Sequence, residues 1–229
     1  MAKPIRILST LAAQGALPAL AARYEQATGT SIAIDFAPTN GLLARIAAGE
    51  AADIIILTRS AIDDLANTGV LLPDSITDIA RSFVGVAVRA GAPRPDIGSV
   101  EALKSALLNA TSIAYSKIGA SGVFFADLIK RLGIAEAVNA KATIIPSGFT
   151  AELAARGEVE LAVQQVSELM MVPGIDIVGP LPPGAESVTM FSAGVLAQSA
   201  QPDAARRLLG FLRSVDSARA LTAAGLQPA

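Results

Sequence analysis

The sequence predicts an α/β protein of two lobes, each a mostly parallel sheet flanked by helices. Short apolar strand patterns alternate with helix-length patterns that end at glycine. The run Ile54–Leu57 is unbroken and apolar, as in a parallel strand covered on both faces. The alternation starts again at Phe83–Val88. Repeated β-then-α units favour layered sheets with right-handed crossovers.

Each element follows from its own pattern. In the first lobe, strands are predicted over Ile5–Leu8, Ser31–Phe36 and Asp53–Leu57, with helices ending at Thr28, spanning Gly41–Ala48, and running from a Ser60 cap through Ala66. In the second lobe, strands are predicted over Phe83–Val88, Ser112–Tyr115, Lys141–Ile145 and Val159–Val163, with helices over Ser99–Leu108, Val123–Leu132, Phe149–Arg156 and Val166–Met171. A strand over Ser187–Leu196 and helices over Asp203–Leu212 and Asp216–Ala224 complete the chain. The predicted domains are residues 1–82 with 191–229, and residues 83–190.

Composition excludes several classes of function. The 229 residues contain no His, no Cys and no Trp, which removes zinc fingers, iron–sulfur ligation, disulfides, a Cys nucleophile and the Ser-His-Asp triad. A net charge of -2 and 4% aromatic residues argue against nucleic acid as a partner. No cofactor and no metal are expected, so any site must use hydroxyls, amides, carboxylates, Lys, Arg and backbone groups.

The apolar N-terminal region has two interpretations. Residues Ile7–Ala22 carry no charge, follow Lys3 and Arg6, and resemble a signal peptide. Arg23 and Glu25, however, continue the helical pattern, which favours a first strand and helix of the folded protein. No segment reaches the ~20 apolar residues of a membrane span, so no membrane insertion is expected.

Hydroxyl and amide side chains recur where predicted strands lead into helices. They are Ser9, Thr10, Thr39, Asn40, Ser116, Ser121, Gly122, Ser147, Thr150, Gln164, Gln165 and Ser167, with glycine supplying a backbone N–H. Helix N-termini carry partial positive charge and free N–H donors, so several aimed at one cleft would bind an anion. Each such residue could equally be a helix cap. Lys117 and Arg59 lie near these turns, and each is either a cation that binds the ligand or an ordinary surface charge.

Several segments together resemble the type II periplasmic binding-protein family, most closely its molybdate/tungstate-binding branch of ABC transporters. The segments are Ile7–Leu11, Phe36–Asn40 with Leu42, Ile46–Asp53, Gly119–Gly122, Arg156–Ala162 and Gly179–Pro182. The resemblance covers nearly the whole chain. It implies a type II periplasmic-binding-protein fold that closes by hinge motion on a small anion in a cleft between the lobes.

The family pattern also implies site residues, a partner and a location. The matching positions are Thr10, Thr39, Ser121 and Ser147, while Gln165 stands where the family has a tyrosine. This departure favours an organic carboxylate over molybdate. The resemblance implies a monomer that delivers its ligand to an ABC-transporter permease in the periplasm. The absence of a clear signal peptide in this chain leaves the cytoplasm open.

A similar branch of the fold contains aconitate isomerase, which gives an alternative function. Isomerising an unsaturated tricarboxylate moves an allylic proton and needs a base and an acid on the ligand. Without His, the candidate catalytic residues are Lys117, Glu168 and Tyr115. For Glu168 a first-turn helix acid is the competing interpretation, and for Tyr115 it is simple packing.

Overall fold

The computed structural model describes residues 3–229 and contains alternating strands and helices. The strands are β1 (Ile5–Ser9), β2 (Ile32–Phe36), β3 (Ile54–Thr58), β4 (Thr77–Arg89), β5 (Ile113–Ser116), β6 (Ala142–Ile145), β7 (Leu161–Gln165), β8 (Ile175–Pro180), β9 (Val188–Val195) and β10 (Gln227–Pro228). The α-helices are α1 (Leu17–Thr28), α2 (Thr39–Ala47), α3 (Arg59–Asn67), α4 (Val100–Asn109), α5 (Ala120–Arg131), α6 (Ala135–Asn139), α7 (Thr150–Ala155), α8 (Val166–Leu169), α9 (Pro202–Leu212) and α10 (Val215–Ala223).

The chain divides into two compact units. Unit 1 comprises Met1–Ser82 with Thr189–Ala229, and unit 2 comprises Phe83–Val188. The chain returns to unit 1 at Thr189, the second residue of β9. Both changes of unit fall within strands, β4 and β9. No glycine or proline turn stands at either point to mark the boundary in the sequence.

Unit 1 is a mixed sheet with apolar layers on both faces. Strand β1 pairs in parallel with β2 and β3, β9 runs antiparallel to β3, and β10 runs antiparallel to β4. In β3, Ile54 and Ile56 join one core cluster, while Ile55 and Leu57 join the other. Because successive strand residues point to opposite faces, the unbroken apolar run fills both layers, as the sequence predicts.

Unit 2 repeats this plan with a different core on one face. Strand β5 pairs in parallel with β6 and β7, and β4 runs antiparallel to β7 and β8. One face packs large side chains around Phe125. The other is built largely from alanines, including Ala114, Ala162 and Ala151, which let α7 approach the sheet closely. The α/β fold with helix-flanked sheets is thus confirmed.

Several local expectations are wrong. Residues 120–122 form the first turn of α5 instead of a glycine-rich turn, and residues 39–40 begin α2 instead of preceding it. Ser60 does not cap α3, which already begins at Arg59. Strands β8 and β10 and helix α6 are not among the predicted elements. Short segments with few apolar residues have weak periodicity, and their pairing partners decide their structure.

The helices of the described residues are too short or too polar to cross a membrane. The uncharged segment 7–22 contributes the end of β1 and the start of α1, whose Leu17 and Leu20 are buried in the core of unit 1.

Candidate functional site

In unit 1, the predicted ligand residues gather at the carboxyl edge of β1 and β2. Ser9 pairs in register with Phe36, and its carbonyl accepts a hydrogen bond from the Ala37 N–H at 3.1 Å. Thr10 follows β1 directly, with its N–H donating to Ile56 of β3. The residues that follow both strands therefore lie together.

The four hydroxyl and amide residues of unit 1 differ in exposure. The Ser9 hydroxyl donates to the Thr10 carbonyl at 3.2 Å, so Ser9 is buried and internally hydrogen-bonded. Thr10 and Thr39 are buried, and Asn40 is exposed in the first turn of α2. The Ser9 hydroxyl therefore already has a partner within its own turn.

In unit 2, the predicted residues lie at the equivalent edge of β5, β6 and β7. Ser116 pairs with Ile145, and the Lys117 N–H donates to the Ile145 carbonyl at 2.8 Å. Ser147 is exposed just beyond this edge. The parallel register of β5 with β7 brings Gln165 to the same edge. Parallel strands thus align their carboxyl ends, which is where open α/β sheets bind ligands.

The Ser116 hydroxyl is the most informative atom of this edge. It is buried and has no hydrogen-bond partner among the described residues. A Cβ built on Gly119 would lie 2.7 Å from this oxygen, and one on Gly122 would lie 2.5 Å from it. The first turn of α5 therefore packs directly on Ser116. A buried hydroxyl without a partner costs free energy unless a ligand supplies one.

The capping explanation does not account for these hydroxyls. Helices α2, α5, α7 and α8 begin without a side-chain cap hydrogen bond. By contrast, Ser99 accepts from the Ala102 N–H at α4, and Ser214 accepts from the Ser217 N–H at α10. Serine capping is used elsewhere in the chain, but not at the helices that follow the predicted site turns.

The two candidate cations have different surroundings. Arg59 binds Asp63 at 2.8 Å and Asp78 at 3.0 Å, and this pairing raises the pKa of its guanidinium. Its charge is therefore already compensated. Lys117 is exposed next to Ser116, and no ion pair to its ammonium is found within residues 3–229. Lys117 is the better placed of the two to meet an anion.

Tyr115 lies on the other face of β5 from Ser116. Its hydroxyl donates to the Asn139 side-chain oxygen at 2.7 Å, and its ring packs edge-on against Phe125 in the core. Burial raises the pKa of the phenol. Strand alternation thus places Tyr115 in the core, in agreement with the packing interpretation.

Glu168 is buried in the first turn of α8. Its carboxylate accepts hydrogen bonds from the Gln165 backbone N–H and from the Gln164 side chain. The backbone contact is half of a capping box, in which an N3 acid binds the N-cap N–H. Burial outweighs both hydrogen bonds and raises the pKa of Glu168 from 4.5 to about 7.

Gln164 and Thr150, two of the polar residues at predicted helix starts, form a buried contact with each other that the sequence does not predict. The Thr150 N–H and hydroxyl donate to Gln164 Oε1 at 2.7 and 3.0 Å. Gln164 Nε2 donates to the Gly148 carbonyl at 3.0 Å. Alternation along β7 is the signal that separates Gln164, on the alanine-rich face, from Gln165.

Among residues 3–229, no acidic cluster is arranged to hold a metal ion.

Comparison with known proteins identifies relatives along the full chain. The sequence model of a family described as bacterial extracellular solute-binding protein matches residues 5–227. An aconitate isomerase from a Pseudomonas species is 40% identical over 236 aligned residues, which cover 99% of this chain and 90% of that protein.

Solved structures of similar fold are more distant in sequence. The periplasmic molybdate-binding protein of Azotobacter vinelandii has a TM-score of 0.80 at 18% identity, covering 97% of this chain and 98% of that chain. L-phospholactate-bound PEB3, a protein of Campylobacter jejuni, has a TM-score of 0.75 at 16% identity, covering 97% and 99%. Both have the fold of this chain.

Proposed function

Because the chain belongs to the bacterial extracellular solute-binding protein family, we propose that it binds a small anion, an organic carboxylate ahead of a molybdate-like oxyanion, for ABC-type uptake. The observation that carries this proposal is the buried Ser116 hydroxyl, which has no hydrogen-bond partner within residues 3–229 and lies under a helix N-terminus without a side-chain cap. The relatives named above include binders of molybdate and of L-phospholactate, which are anions. The relative at 40% identity is named for aconitate, a tricarboxylate, and supports the carboxylate.

The chemistry of the two edges suits an anion without a metal. Neutral donors and helix N-termini stabilise negative charge, and Lys117 adds one formal positive charge at the unit 2 edge. The ligand-binding residues proposed are Ser9, Thr10, Thr39, Asn40, Ser116, Ser121, Gly122, Ser147 and Gln165. The extracellular description of the family supports the periplasm as the place of action, and cell fractionation of the native organism tests it.

Thermal unfolding with a panel of anions tests the proposal. The panel contains molybdate, tungstate, sulfate, and di- and tricarboxylates including cis- and trans-aconitate. A ligand at 100 times its dissociation constant is expected to add about 2.7 kcal/mol to the free energy of unfolding. If no anion raises the melting temperature, the binding proposal is wrong. Stabilisation by molybdate and tungstate alone would exclude the carboxylate.

Replacing Ser116 with alanine is expected to separate ligand binding from folding. Affinity for the bound anion should fall roughly tenfold to a hundredfold, because a hydrogen bond to a charged group is lost. The ligand-free protein should keep its stability or gain some, since a buried hydroxyl without a partner is removed. Calorimetric titration and urea unfolding measure the two quantities. Ser105→Ala, at an exposed serine of α4, is the control. Unchanged affinity in Ser116→Ala would contradict the assignment of Ser116 as a ligand-binding residue.

The second candidate function is isomerisation of an unsaturated tricarboxylate, favoured by the 40% identity to aconitate isomerase over 99% of the chain. A base must take a proton from the methylene carbon, and a proton must return at the far end of the three-carbon unit. Of the three proposed carriers, Tyr115 is hydrogen-bonded in the core and Glu168 is buried, whereas Lys117 is exposed at the edge.

Incubation with cis-aconitate, followed by chromatography of the trans isomer, tests this activity. If it is present, Lys117→Met is expected to lower the rate by roughly a hundredfold or more, the contribution of one acid–base group. Lys130→Met, at an exposed lysine of α5, should leave the rate unchanged. An unchanged isomer ratio with wild-type protein would exclude the activity for this substrate.

A further inference from the structure

One buried amide links three parts of unit 2. Gln164 Oε1 accepts from the Thr150 N–H and hydroxyl, and Gln164 Nε2 donates to the Gly148 carbonyl. Gln164 is 2% exposed and Thr150 is fully buried, so water does not compete for these bonds. The contacts join β7 to the turn between β6 and α7 and to the first residue of α7.

The orientation of this amide is determined by its partners. Rotating it by half a turn would place Nε2 against the Thr150 N–H and Oε1 against the Gly148 carbonyl, and both of these contacts would become unfavourable, whereas the Thr150 hydroxyl could adapt by accepting instead of donating. With Oε1 facing Thr150, an Nε2 hydrogen remains for the Glu168 carboxylate. Glu168 also accepts from the Gln165 N–H. The acid therefore stabilises the one orientation that holds the turn.

The turn itself needs such support. Gly148 has a φ of 93°, in the left-handed region that favours glycine, and it directly follows Ser147. The helix that begins at Thr150 has six residues and no side-chain cap. Short helices are marginal on their own, so tertiary contacts such as those of Gln164 must hold its start.

We propose that Gln164 and Glu168 are positioning residues, which set the conformation of the Gly148–Thr150 turn and thereby place Ser147 for ligand binding by unit 2. This inference rests on the proposed anion-binding function for its ligand part. The link between Glu168 and the turn does not depend on the ligand. Neither residue needs to touch the ligand, which distinguishes them from Ser116 and Lys117.

Amide hydrogen exchange at Thr150, observed by NMR in the ligand-free protein, tests the link. Glu168→Leu keeps the side chain apolar and similar in size but removes the acceptor, and the protection of the Thr150 N–H is expected to fall roughly tenfold. Glu168→Gln retains an acceptor and should restore protection to within about twofold of wild type. Gln164→Leu breaks the same link from the other end, so the test does not depend on one variant folding.

Matched controls are Glu136→Gln and Gln26→Leu, which alter exposed residues of α6 and α1 and should leave the Thr150 exchange unchanged. If the Thr150 N–H is as well protected from exchange in Glu168→Leu as in Glu168→Gln, Glu168 contributes only packing and the inference is wrong. Unchanged protection in Gln164→Leu would overturn it equally.

Calorimetric titration with trans-aconitate tests the ligand part. Glu168→Leu is expected to weaken binding at least about tenfold, the equivalent of one hydrogen bond to a charged group, and Glu168→Gln to leave it near wild type. Equal affinity in both variants would contradict positioning for the ligand. If wild-type protein does not bind trans-aconitate, the carboxylate proposal fails, while the exchange result still decides whether Glu168 holds the turn.

Discussion

Replacing Gly122 with alanine is expected to lower the free energy of unfolding by about 3 kcal/mol or more, and to abolish high-affinity anion binding. An alanine Cβ at this position would lie 1.8 Å from the Ser116 carbonyl oxygen and 2.5 Å from its hydroxyl. The carbonyl is backbone at the end of a central strand and cannot move aside as a side chain could. The first turn of α5 would have to leave the edge of β5.

Gly210 in α9 provides the matched control. It is also a helical glycine, but a Cβ there would meet nothing within 4 Å. Gly210→Ala should therefore stabilise the protein by about 0.5 to 1 kcal/mol through helix propensity. Urea unfolding of both variants measures the difference. If Gly122→Ala is as stable as wild type, the close packing of α5 on Ser116 is wrong.

The free energy of unfolding is expected to fall by about 3 kcal/mol as the pH rises from 4.5 to 7, because of Glu168. Burial raises the pKa of this carboxyl from 4.5 to about 7 in the folded protein. Between these values the folded state holds a proton that the unfolded state has released, so raising the pH favours unfolding. Above pH 7 both states are ionised and the loss is complete.

Glu168→Gln should remove this dependence, since glutamine keeps the shape and does not titrate. Urea unfolding at about pH 5.5 and about pH 8, for wild type and variant, measures the difference between the two slopes. The sequence has no histidine, so no side chain of ordinary pKa titrates in this range. Equal pH dependence in wild type and Glu168→Gln would show that Glu168 is not buried as described.

Carboxylates with lowered pKa contribute stability in a separate pH range. The Arg45 guanidinium holds the pKa of Glu50 below its usual value, and the Arg156 guanidinium does the same for Glu158. Their contribution is present above the unfolded pKa and is lost as the pH falls below it. Glu158 is exposed and Glu50 is partly exposed, so solvent screens these pairs and the change is small.

Much of the fold could be predicted from the sequence because it depends on patterns of apolar residues. The run Ile54–Leu57 predicts a strand with both faces covered, and the structure places alternate side chains in two cores. The positions of hydroxyls after strands also follow from local order along the chain. Strand β10, two residues long, lacks such a pattern and exists through its pairing with β4.

The candidate site could be predicted only in part. Sequence reasoning names Ser116, Tyr115 and Lys117 as neighbours with open roles, and strand alternation then separates them: Tyr115 points into the core, while Ser116 lies against α5. Gln164 and Thr150 are both among the polar residues at predicted helix starts, but the sequence does not pair them, because their contact joins residues 14 apart in the chain. The site residues as a set remain a prediction that ligand binding must test.

The sequence by itself determined the α/β class, the absence of histidine and cysteine chemistry, and the recurrence of hydroxyls after strands, since composition and periodicity depend only on residue order. Tertiary structure decided which of those hydroxyls already have a hydrogen-bond partner. Ser9 is hydrogen-bonded within its own turn, whereas the buried Ser116 hydroxyl has no partner in the part of the chain that the structure describes. It also decided that Glu168 titrates near neutral pH, because desolvation depends on what surrounds a carboxyl in space.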